Sequence, residues 1–120
     1  MGRILLFILG LTIILVISVL IVFRLSKKDI RQALRKLKEE GFKHVYEWRD
    51  EPHVEYPEHA HEDRVSFYII EGSLTFRING ETIELNKGDR YDVPPKTNHT
   101  AKVGPEGCSF VVGEMIEGDS

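Results

Sequence analysis

The chain has 120 residues, a formal net charge of −3 and one cysteine, Cys108. That length holds one globular domain and not two, and a lone cysteine excludes an intrachain disulfide. Charge is divided: residues 1–42 carry eight basic and three acidic side chains, residues 43–120 eight basic and sixteen acidic, and so acidic a C-terminal part is a poor partner for nucleic-acid phosphates.

In chain order, the first element is Ile4 to Phe23, twenty positions without a charge. As a helix it would rise about 30 Å, the thickness of a bilayer's hydrocarbon core. We read residues 1–25 as a retained single-pass transmembrane anchor. A cleaved signal peptide would show an apolar run of about 7–15 residues and a small-x-small cleavage site. Only Arg3 precedes the run, whereas seven basic residues lie between Arg24 and Lys38. That asymmetry places the following domain on the cytoplasmic side of the cell membrane. Met-Gly-Arg-Ile-Leu-Leu lacks the Ser or Thr that a myristoylation signal needs at position 6.

Residues 26–42 predict a separate basic amphipathic helix. Ser26 is its cap, with Asp29 as the capping-box partner. Ile30, Ala33, Leu34 and Leu37 share one face. Gly41 supplies the left-handed stop and Phe42 folds back on Leu37. The basic face suits anionic headgroups, and the leucine face suits the domain that follows; the two placements are compatible.

From Lys43 to Ser120 the pattern predicts an all-β domain. Strands are expected near 43–48, 53–56, 65–71, 74–78, 81–85, 90–93, 99–103 and 108–113. Asn79-Gly80 marks a hairpin. Glu71-Gly72-Ser73, Asn86 to Asp89 and Gly104 to Gly107 read as further tight turns, and Pro94-Pro95 as a strand end. Val65, Phe67 and Ile69 alternate onto one face, as do Leu74, Phe76 and Ile78. Many short strands with tight turns point to a sandwich or closed barrel. Tyr56, Phe67, Phe76, Tyr91 and Phe110 are expected in its core. Trp48 is expected to pack the N-terminal strand onto the barrel, and Cys108 to be a small buried residue.

Three of the five histidines stand out. His59 and His61 are two apart, so on an extended strand they project to the same side. His99 follows the Pro-Pro turn on a later strand. Three imidazoles converging inside a barrel would bind a divalent transition ion, Zn, Fe, Mn, Ni or Cu, with positions left open. Taken alone, an HxH pair is more often solvated or packed in a core. His44 and His53 read as strand-edge or surface residues, His53 near the barrel mouth.

The neighbouring residues add a resemblance. Pro57-Glu-His59-Ala-His61 followed by Tyr68-Ile-Ile-Glu71-Gly72 resembles the first motif of the cupins. Gly88-Asp89-Arg-Tyr-Asp-Val-Pro94-Pro95-Lys-Thr-Asn-His99 resembles the second. The resemblance covers about residues 53–113 and implies a jelly-roll β-barrel, often dimeric, holding one metal on histidines. Carried over, His59, His61 and His99 become the metal ligands, and Gly72, Gly88 and Pro94 turn formers. The chain departs from the pattern at four positions. Val65 stands where a glutamate ligand is expected, His53 and Lys96 where glycines are expected, and Val103 where an asparagine is expected. Asp63 would substitute for the carboxylate only if the strand shifted.

Three functions fit: a membrane-tethered metal-binding cupin with a small organic ligand in the barrel, a metal-dependent cupin enzyme of dioxygenase or isomerase type, and a metal-free sensor or homodimerisation module. No general base with a defined partner can be read from the residues, and no catalytic residue is assigned.

Overall fold

Helix α1 (Gly2–Glu39) is continuous. The structure, a computed structural model, describes residues 2–116, and of these every side chain except those of residues 2–9, 22, 23 and 25. Met1 and residues 117–120, the outer ends of the expected anchor and β-domain, lie outside the described residues. The expected break at residue 26 is absent. No Gly or Pro interrupts residues 22–28, so nothing there opposes propagation of the helix. Ser26 is therefore no cap; its hydroxyl donates to Glu71 Oε1 at 3.2 Å.

The helix has two unlike halves. Large apolar side chains from Leu11 to Ile21 are about half exposed or more. From Gly10 to Glu39 the helix is long enough, and one window of it apolar enough, to cross a membrane, a test that a signal sequence or the core helix of a soluble protein also meets; none of that window is buried. The second half packs on the sheet: Ala33, Leu37 and Phe42 form one buried cluster with Ile70 and Val111. Each large apolar side chain so buried stabilises by about 1.5–3 kcal/mol. The helix stops in a Schellman motif. Phe42 N–H donates to the Leu37 carbonyl and Gly41 N–H to that of Lys38, both at 3.1 Å, with Gly41 at φ 99°.

Six strands follow: β1 (His44–Asp50), β2 (Glu55–His59), β3 (Val65–Ile78), β4 (Glu81–Asn86), β5 (Arg90–Val93) and β6 (His99–Glu114). All pairings are antiparallel. β3 and β6 run through both layers of the fold. The first half of β3 pairs with β5 and with the end of β6, which also carries β1. The second half of β3 pairs with β4 and with the start of β6, which also carries β2. Two four-stranded leaves result, β1-β6-β3-β5 and β2-β6-β3-β4, hinged where β3 and β6 bend.

The bends are the segments expected to be tight turns. The β3–β6 register shifts on either side of Gly72. Gly72 has φ 78°, and an added Cβ there would collide with the Gly107 carbonyl. A bent strand rather than a hairpin forms because β3 and β6 remain paired with each other on both sides of the bend. Between the leaves lies one core, with Val65, Ile69, Phe110 and Val112 from the first and Leu74, Phe76, Ala101 and Val103 from the second. Cys108 is buried there, and burial followed by the Asp50 charge pushes its thiol up to about 12. Among the described residues no pairing joins β1 to β2 or β4 to β5, so the barrel is two leaves and not a continuous ring.

On the outer face Arg90 locks helix to sheet. Its Nη atoms donate to the Glu40 carboxylate at 2.6 and 2.9 Å, and its Nε to Asp92 Oδ1 and Ser66 Oγ. The Arg90 guanidinium holds Glu40 below the ordinary carboxylate range. Burial raises Asp92, but hydrogen bonds from Arg90 and Ser66 outweigh it and the net shift is downward.

Candidate metal centre

His59 and His99 are side by side because β2 and β6 pair there, His59 opposite His99. His61 arrives differently from expectation. β2 ends at His59, so His61 belongs to the loop that follows and not to a shared strand. What holds it is a contact between loops: Lys96 N–H donates to the His61 carbonyl at 2.7 Å. Lys96 can do so because its backbone is left-handed, φ 56°. His53 is also left-handed, φ 66°. Both positions where the motifs would have glycine thus keep the backbone shape that glycine serves, with a bulkier residue in it.

The three rings meet. Centroids are 4.3 Å apart for His59–His99, 4.9 Å for His59–His61 and 5.3 Å for His61–His99. One ligand atom from each lies within 4.8 Å of the others. The hydrogen bonds fix two tautomers. His59 Nδ1 faces the Pro57 carbonyl at 2.7 Å, and His99 Nδ1 faces the Thr97 carbonyl at 3.0 Å. A carbonyl only accepts, so each Nδ1 carries the proton and each Nε2 keeps its lone pair. His61 Nε2 is buried without any partner. Leaving a buried polar atom unpaired costs about 1–3 kcal/mol, and such an atom in a folded protein calls for an explanation. An orphaned nitrogen beside two lone pairs fits a divalent ion.

Protonation is disfavoured here. Burial lowers His61, and the charges that His59 and His99 would carry lower it further. Burial also lowers His99; the Thr97 hydrogen bond opposes this and His59 adds to it. Neutral imidazoles are what a metal requires. Among the described residues the cluster consists of these histidines alone: neither Glu62 nor Asp63 joins it, and Val65 is a buried core residue.

The imidazoles line a cavity of about 500 Å³ between the leaves, within the size range of small-molecule sites. Tyr56, Phe67, Phe76 and Phe110 supply apolar wall, as core expectations implied. Trp48, His44, Tyr46 and Glu114 also line the cavity, none of them expected there. Trp48 is 52% exposed at the rim instead of packing the strand down, because its indole N–H reaches out to Asp50 at 2.9 Å. His44 lines the cavity, with Nε2 4.0 Å from Glu114 Oε2. Glu114 itself accepts a 3.2 Å hydrogen bond from Tyr46. Burial and then the Glu114 charge push the Tyr46 phenol up to about 12. The alternation Phe110, Val112, Glu114 was the available signal, but it runs past the expected end of the last strand. His53 remains exposed and does not line the cavity.

Comparisons with known proteins agree with this architecture. A cupin domain is matched over residues 46–112. No curated protein matches the chain. Among solved structures it is similar to an RmlC-like cupin of Shewanella frigidimarina, with 25% identity and a TM-score of 0.54 over 62% of this chain and 68% of that one. A cupin-2 domain containing protein of the same organism is 25% identical, with a TM-score of 0.50 over 57% of this chain and 65% of that one. An uncharacterized conserved protein with a double-stranded β-helix domain from Klebsiella pneumoniae is 29% identical, with a TM-score of 0.52 over 58% and 64%. The chain spans about two thirds of the length of these relatives. With more than half of its length matched by the domain, and with two bent strands carrying two leaves around three clustered histidines, the chain belongs to the cupin domain family.

Proposed function

We propose that this chain is a single-pass, membrane-anchored cupin that binds a divalent transition metal through His59, His61 and His99 and a small organic ligand in the adjoining cavity. Residues 1–25 are the anchor, residues 26–42 a basic stretch at the membrane surface, and residues 43–120 the metal-binding domain on the cytoplasmic side. One observation carries the metal reading: the buried, unpartnered Nε2 of His61 beside two rings whose Nδ1 protons are fixed by carbonyls. The exposed apolar run from Leu11 to Ile21 and the basic residues after it support the anchor.

The deciding experiment is metal analysis of the full chain, purified in detergent without chelator. About one transition ion per chain is expected, and none in a His59→Ala, His99→Ala double variant. A content near zero in the unaltered chain would leave the metal-free sensor or dimerisation reading. Alkaline carbonate extraction tests the anchor: release into the soluble fraction would remove it.

A second reading, a metal-dependent enzyme of dioxygenase or isomerase type, is favoured because the histidines face the cavity and are not sealed from it. The ion would polarise a substrate or activate oxygen or water, while the aromatic walls orient the substrate and exclude solvent.

A further inference from the structure

We propose that Glu114, which enters the cavity from the leaf opposite His59 and His99, is the counter-charge of the three-histidine site. The inference rests on the metal reading above. Three neutral imidazoles leave a divalent ion with its full charge in a largely apolar cavity. Such a charge is costly to hold unless an opposite one is near. Among the described residues Glu114 is the only carboxylate lining that cavity.

Its placement follows from the strands. Glu114 shares a face of β6 with Phe110 and Val112, both core residues. Its register partners are His44 on β1 and Val65 on β3. Those positions lie at the same end of the barrel as the loop holding His61, since residues 60–64 run directly into Val65. Glu114 and His61 line the same cavity, so a divalent ion held by the histidines would feel the carboxylate's attraction. Glu114 is held lightly, by one 3.2 Å hydrogen bond from Tyr46 and a 4.0 Å approach of His44. No arginine or lysine neutralises it from the cavity lining. It therefore acts on the site through its charge and is a positioning residue, not one of the ligand set.

The test is zinc affinity of the full chain in detergent, measured by competition with a chromophoric chelator. Glu114→Gln should weaken zinc binding about tenfold, as expected for one charge acting across a low-dielectric cavity. Glu114→Asp should restore affinity to within about threefold, and Glu62→Gln, at an exposed carboxylate within the His61 loop but outside the cavity lining, should leave it within about twofold. Melting in the presence of chelator shows whether the Gln variant keeps its fold; if it does not, Glu114→Met is the second neutral variant. Affinity of a folded neutral variant within twofold of the unaltered chain overturns the proposal, as does an equal loss in Glu62→Gln. If the unaltered chain takes up no zinc, the metal reading falls as well. If it binds zinc, loses it with His59→Ala and His99→Ala, and ignores Glu114→Gln, only the counter-charge falls.

Discussion

The first leaf carries a polar cluster on its outer face, and the cavity behind its inner face holds another; they are built on opposite principles. Outside, Arg90 divides its donors among Glu40, Asp92 and Ser66. The arrangement is closed, although Arg64 Nε, 3.9 Å from Asp92, is buried without a hydrogen bond and its guanidinium lies over the Phe42 ring. Inside, the two Nδ1–H groups of His59 and His99 are fixed while the nitrogens that face the site are left without a protein partner. A closed cluster has no capacity for anything further and serves the fold. An open one keeps a desolvation penalty that only an added group relieves. Each cluster keeps one buried unpaired nitrogen, Arg64 Nε outside and His61 Nε2 inside; what separates the two is that only the inner one converges with two further ligand atoms on a single point.

The largest effect should break the comparison on the inner side. With free zinc at about 100 times its dissociation constant, the chain should gain about 2.7 kcal/mol in urea unfolding. His99→Ala should abolish that gain; a gain that persists would mean that the ion sits elsewhere. The outer cluster should respond differently. Arg90→Ala leaves the exposed Glu40 carboxylate to water and Asp92 with the Ser66 hydroxyl at 2.6 Å, so it should lower stability by only about 1 kcal/mol, equally with and without zinc. A loss of zinc affinity in that variant would show that the clusters are coupled through the leaf.

Acidification gives a smaller, directional effect. The folded-state pKa values of His61 and His99 lie below the ordinary histidine value of 6.5. Above pH 6.5 both states are neutral at these rings and the full stability is present. As pH falls through 6.5 toward the folded values, the unfolded chain binds protons that the folded site refuses, and stability is lost. Metal-free chain should therefore weaken below pH 6.5, and His61→Ala should flatten that slope. An unchanged slope would mean that the rings are not desolvated. The outer cluster predicts no change in this window, because its carboxylates titrate lower.

Much of this contrast was legible in the residues. The His59, His61 and His99 set follows from motif spacing, and the helix stop at Gly41-Phe42 and the Asn79-Gly80 hairpin follow from local chemistry. Other features depend on partners far away in sequence. Gly72 and Gly104 to Gly107 carry the composition of turns, and only the continued pairing of β3 with β6 makes them bends. Ser26 reads as a cap because the partner its hydroxyl takes instead, Glu71, lies 45 residues away. Glu114 could not be assigned because its meaning comes from facing an imidazole cluster across the barrel. Arg90 carries no signal of its role in the sequence, because its partner Glu40 lies 50 residues away.

The smallest effect concerns the backbone that carries the open cluster. His53 and Lys96 hold left-handed conformations, φ 66° and 56°, which cost a non-glycine residue about 1–2 kcal/mol. Glycine at either position would relieve that strain, while its freer unfolded chain takes back about 0.4–1 kcal/mol. His53→Gly and Lys96→Gly should each stabilise by about 0.5–1 kcal/mol. The Lys96 N–H that positions His61 is a backbone group, so Lys96→Gly should leave zinc affinity unchanged. If it instead weakens zinc binding, then the lysine side chain, and not only the turn it occupies, helps to hold His61 in place. The loop would then belong to the open cluster rather than to its frame.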